Sequence, residues 1–90
     1  MYDKEKLNAG LNQLTGLDYE AAARRFKATN KDFFGVIQLE SGFFAEVAAL
    51  ALGQNANELK ALSLREYFNI CNEVQRFLNS DSEENPTVSN

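Results

Sequence analysis

The apolar positions of this chain fall into helical runs separated by short polar breaks. Leu7, Leu11 and Leu14 recur at spacings of four and three, a narrow stripe that predicts a first helix over residues 3 to about 14. Asp3 is placed to cap it, Glu5 suits the positive end of the helix dipole, and Gly16 offers a C-terminal stop. A second helix is predicted to start at Asp18, a candidate N-cap, and to end at Thr29-Asn30. Its three alanines and two arginines are strong helix formers, and Tyr19, Ala22, Ala23 and Phe26 share one face. Asp32 is a candidate cap for the next run.

Residues 33–52 are the most apolar stretch. Phe33, Phe34, Val36, Ile37 and Leu39 come first, then Phe43, Phe44, Val47, Ala48, Leu50, Ala51 and Leu52. The later part has helical period. The earlier part fits a helix or a short strand at 33–39, because a short Phe/Val/Ile run suits both. Gly35 and Gly42 each cost a helix about 1 kcal/mol relative to alanine. The favoured reading is two helices with a break near Ser41-Gly42. Gly53-Gln54-Asn55 closes the stretch, and a short helix at about 57–61 follows, with Leu59 and Leu62.

Ser63-Leu64-Arg65-Glu66 then fits the capping box, with serine at the cap and glutamate three residues on. The helix it opens is expected to run to about Leu78. Tyr67, Ile70, Cys71, Val74, Phe77 and Leu78 lie on one side of it, and polar residues cover the rest. Beyond Asn79 only Val88 is apolar, and three acids accompany serines, asparagines and a proline. The expected fold is all-α: a compact bundle of four to five short helices forming one domain over residues 1–79, with a disordered acidic tail at 80–90.

Composition narrows the function more than the fold. No apolar run approaches the roughly 18 residues of a membrane span, and the polar N-terminus lacks a signal peptide, so the cytoplasm is the expected compartment. The net charge of −4 is uneven. In residues 1–45 six basic and six acidic groups cancel, whereas residues 46–90 hold three basic and seven acidic groups. Such a chain is poorly suited to nucleic acid, where Lys and Arg against phosphate dominate affinity. Arg24, Arg25, Lys27 and Lys31 make a local basic cluster, read first as a solvated helix face and second as a dock for an acidic partner.

There are no histidines and one cysteine. An internal disulfide is impossible, and His-dependent nucleophilic triads and most zinc sites are ruled out. Cys71 is expected to be a buried small hydrophobe. The five glycines are scattered, so no phosphate loop is present, and Glu40, Glu46 and Glu58 have no special spacing as a carboxylate cluster. No enzyme activity, metal or cofactor is expected.

The stretch 47–78 resembles the C-terminal half of phage tail assembly chaperones from siphophages and related prophages. The resemblance rests on an alanine-rich helix, a loop with an acidic turn, Leu62-Ser63, the acidic-aromatic pair Glu66-Tyr67, and a closing Val74-Gln75-Arg76-Phe77-Leu78. It covers about a third of the chain, and residues 1–46 have no match to it. It implies a protein of the bacterial host cytoplasm that binds the long tape measure protein during tail morphogenesis. That protein keeps its partner soluble while the tail tube protein polymerises around it, and is absent from the finished tail.

A chaperone for a helical, partly apolar chain needs an exposed apolar surface. Phe33, Phe34, Phe43 and Phe44 are the candidate partner-binding residues. Paired aromatics beside a glycine are more often core, and an exposed patch equally serves a homo-oligomer. If all four are buried within one subunit, the reading of these residues as a groove fails. Two other classes compete: a small helical DNA-binding regulator, with a helix-turn-helix at 56–78, and a structural or adaptor subunit of a complex.

Overall fold

The computed structural model describes residues 3–32, 35 and 40–84. Five α-helices are present among them: α1 (Lys4–Gln13), α2 (Gly16–Thr29), α3 (Ser41–Leu52), α4 (Ala56–Lys60) and α5 (Leu64–Glu84). The described residues contain no strand, as an all-α bundle requires.

Asp3 caps α1 as expected, its carboxylate accepting from the backbone N–H of Glu5 at 3.0 Å and of Lys6 at 3.2 Å. The start of α2 differs from expectation. Leu14 is extended, at φ −71° and ψ 149°, and so is Thr15, which becomes the N-cap. Gly16 is therefore the first residue of α2 rather than the stop of α1. Asp18 sits three residues past the cap and completes a capping box. Thr15 N–H donates to its Oδ2 at 2.9 Å, and its own N–H donates to Thr15 Oγ1 at 3.3 Å. The serine- and threonine-type box outcompetes Asp18 as a lone cap because it satisfies two orphan donors at once. At the other end, Asn30 Nδ2 donates to the Phe26 carbonyl at 2.8 Å, closing α2 where predicted.

α3 begins at the expected break near Ser41-Gly42. The proposed helix or strand at 33–39 lies outside the described residues, apart from Gly35. Residues 43–49 of α3 are all buried, Glu46 included. A helix apolar on every side belongs at the centre of a bundle, and α3 is there. α1, α2 and α5 each pack on it, α4 lies against it, and α1 also touches α5. α3 stops at Gly53, whose φ of 69° is left-handed and suits glycine, and Gln54 N–H reaches back to the Ala49 carbonyl at 2.9 Å.

Asn55 caps α4, accepting from Asn57 N–H at 2.8 Å while Glu58 returns a bond to Asn55 N–H at 3.3 Å. Ser63 Oγ accepts from Glu66 N–H at 3.2 Å at the head of α5, the bond the capping box predicts. α5 buries Ile70, Cys71 and Val74. It continues to Glu84, so residues 80–84, assigned to a disordered tail, are helical. Nothing between Leu78 and Glu84 breaks a helix, and extending an existing one adds a hydrogen bond for each residue fixed. Residues 85–90, the rest of the proposed tail, lie outside the described residues.

A candidate partner-binding groove between α2 and α5

The core is one cluster. Leu7 and Leu11 of α1, Ala22 and Phe26 of α2, and Leu59 of α4 meet α3 from one side or the other, and Ile70 and Val74 of α5 complete it. α2 and α5 both lean on α3 yet make at most marginal contact with each other. Between them runs an open cleft with α3 as its floor.

Two adjoining cavities make up this cleft. The larger, about 380 Å³, is lined by Leu11, Leu14, Tyr19, Val47, Phe77 and Leu78, with Asn12, Thr15, Gly16 and Asp18 at its edge. The smaller, about 260 Å³, shares Tyr19 and Leu78 and adds Phe44, Gln75 and Asn79. Tyr19 is half-buried, and its ring meets Phe43 edge-on with centroids 5.3 Å apart. Leu14, Phe77 and Leu78 are also partly buried and pack against the core. Leu17, between two edge residues, is 81% exposed. Leucine, valine and aromatic side chains thus line the cleft, with polar residues among them.

The four phenylalanines chosen from sequence divide differently. Phe43 is fully buried and Phe44 nearly so. As exposed groove residues both are corrected: their rings pack with one another and with Phe26 and Tyr19 in the core. Phe44 keeps one part in the site, on the floor of the smaller cavity. Phe33 and Phe34 lie outside the described residues. The residues that line the groove, Leu14, Tyr19, Phe77 and Leu78, were visible in the sequence as edges of three apolar stripes. A stripe does not reveal whether its edge is covered, so nothing local marked them.

Cys71 is buried, as expected. Its Sγ–H donates to the Ser41 carbonyl at 3.7 Å. Burial pushes its thiol above the ordinary value of 9.0, partly opposed by a hydrogen bond from Tyr67. Burial likewise raises the Tyr67 phenol above 10.0, against a hydrogen bond with Ser41. The cluster joins α5 to the first turn of α3 and favours the neutral forms, which is the opposite of what a nucleophile needs. Arg24, Arg25, Lys27 and Lys31 are all exposed. Among the described residues no group of three or more Cys, Asp or Glu is gathered to hold a metal ion. No described helix is long and apolar enough to cross a membrane. Comparison with protein families, curated proteins and solved structures finds no match to this chain.

Proposed function

We propose that this chain is a phage tail assembly chaperone that holds an apolar helical segment of the tape measure protein in the groove between α2 and α5. The observation that carries the reading is the groove itself: an open, apolar-floored cleft that no element of the described chain fills. Helix-in-groove binding uses this kind of surface, with apolar anchors at helical spacing entering the cleft. The resemblance in residues 47–78 adds weight, since Val47, Phe77 and Leu78 of that stretch all line the groove. On this reading the binding surface is Leu14, Tyr19, Phe77 and Leu78 in place of Phe43 and Phe44, and the exposed Leu17 stands between the lining residues Gly16 and Asp18.

The test is co-expression of the chain with a siphophage tape measure protein. Wild type is expected to keep that protein soluble and to co-purify with it. Leu17→Asp and Leu78→Asp, checked to retain their helical content and melting, are expected to abolish both effects. Phe68→Asp, on a different exposed face of α5, is expected to leave both intact. Equal capture by the groove variants would refute the site. Retention of DNA that is lost as salt rises would replace the reading with a DNA-binding regulator. Recovery of the chain in mature particles would replace it with a structural subunit.

A further inference from the structure

A further cavity, toward the C-terminal end of α2, contains a carboxylate of α3 that is unpartnered among the described residues. Glu46 is 9% exposed, yet among the described residues no hydrogen bond or ion pair reaches its carboxylate. The other buried glutamate, Glu73, has both Lys4 and Arg76 as partners. Buried carboxylates are paired as a rule, because removing one from water without compensation is costly. No fully enclosed side-chain oxygen in the described chain lacks a partner. The Glu46 oxygens therefore open into the cavity that this residue lines, a space of about 680 Å³ between the end of α2, α3 and α4.

The other polar groups there set the ligand's charge pattern. Arg25 and Lys60, both exposed, line the same cavity together with Gln54 and Asn57. One buried negative charge and two exposed positive ones thus line one cavity, so a simple cation is repelled by the two and a simple anion by the one. A molecule carrying both charges a few bonds apart satisfies each. We propose that this cavity binds a small zwitterion of the amino-acid class, its ammonium group on Glu46 and its carboxylate toward Arg25 and Lys60. Charge-assisted hydrogen bonds at both ends supply the affinity, which for so few atoms lies in the millimolar range. The inference is independent of the groove and of the chaperone reading.

The test uses the full chain, isotopically labelled, and follows backbone amide shifts. The probes are L-alanine, which carries both charges, and its two halves, ethylammonium and propionate. L-alanine is expected to shift the amides of Thr29, Glu46 and Gln54 to Asn57 in a saturable way, and to bind at least about ten-fold more tightly than either half. Glu46→Gln is expected to weaken L-alanine binding by about ten-fold or more with the spectrum otherwise unchanged. The double change Arg25→Ala and Lys60→Ala, at exposed positions that the fold does not need, is expected to reduce L-alanine to the affinity of ethylammonium. Absence of saturable shifts, shifts confined to other regions, or equal binding of L-alanine and ethylammonium to wild type would overturn the proposal. So would tighter ethylammonium binding after Arg25→Ala, which would make Arg25 itself the partner of Glu46.

Discussion

Replacing Gly10 with alanine sets two effects of opposite sign against each other. Gly10 is inside α1, where alanine is favoured over glycine by about 1 kcal/mol. Its α-carbon, however, faces the backbone of α3. A Cβ there would run into the Ala51 carbonyl oxygen and lie 2.7 Å from the carbonyl carbon and 3.0 Å from the Ala51 α-carbon. These are backbone atoms of the central helix, so the clash is relieved only by moving α1 away from α3. That movement opens space around Leu7 and Leu11, which are 0% and 1% exposed. Overpacking of this kind costs about 1–3 kcal/mol, and contact with backbone places it toward the upper end. After the propensity gain, a net loss of about 1–2 kcal/mol remains. In a chain of this size each kcal/mol moves the melting temperature by about 4–8 °C. Gly10→Ala is therefore expected to melt about 5–15 °C below wild type by far-ultraviolet circular dichroism. Gly16→Ala is the control: it opens α2 with no atom within 4 Å of the added Cβ, and is expected to leave melting unchanged or slightly raised. A Gly10→Ala protein that melts at or above wild type would refute the close approach of α1 to α3.

Three further outcomes are expected. Thr15→Ala removes the acceptor for Asp18 N–H and should cost about 1 kcal/mol in denaturant unfolding, while Thr15→Ser should restore most of it. Lys4→Ala and Arg76→Ala should each cost about 0.5–1 kcal/mol, because both partners of Glu73 are largely exposed and screened. The double change should cost more than the sum of the two, because it leaves Glu73 buried and alone; a double variant as stable as wild type would contradict this. For pH, the Cys71 thiol and Tyr67 phenol are both raised in the folded chain. The unfolded chain then loses these protons first, so stability is full below pH 9.0 and falls as pH climbs through the raised folded values. Cys71→Ala should flatten the onset of that fall, measured as melting temperature against pH.

Much of this fold is legible in local signals. Asp3, the Ser63–Glu66 box and the glycine at 53 mark ends that the structure keeps, because each satisfies backbone groups within its own turn. α3 reads as central from its composition alone, since no face of it is polar enough to meet water. The errors have local causes too. A single-cap reading favours Asp18 over Thr15 because it ignores the reciprocal bond between them. The apolar stripe of α5 ends at Leu78, but the helix itself requires only backbone continuity and runs on to Glu84. The groove was not legible for a different reason. It depends on which helices fail to touch, and that is decided by the three-dimensional arrangement of side chains on α3.

Those side chains give a physical account of why the cleft stays open. Where α1 approaches, glycine meets alanine, Gly10 against Ala51, and the two backbones come close. Where α2 approaches, aromatic rings intervene: Tyr19 and Phe26 stand edge-on to Phe43, with centroids 5.3 Å and 6.4 Å away. α5 meets α3 through Ile70, Cys71 and Val74, with Cys71 reaching Ser41. α2 is thus held off by the width of a ring while α5 is anchored on another side, and Val47 and Phe44 are left as a floor between them. The residues at the rim, Asn12, Thr15, Asp18, Gln75 and Asn79, are too polar to fold inward and close it. Val47 and Phe44 are already 3% and 4% exposed, so an occupant gains chiefly by covering the partly buried Leu14, Tyr19, Phe77 and Leu78. Any segment that seats there binds the folded state alone and must raise the melting temperature as its concentration exceeds its dissociation constant.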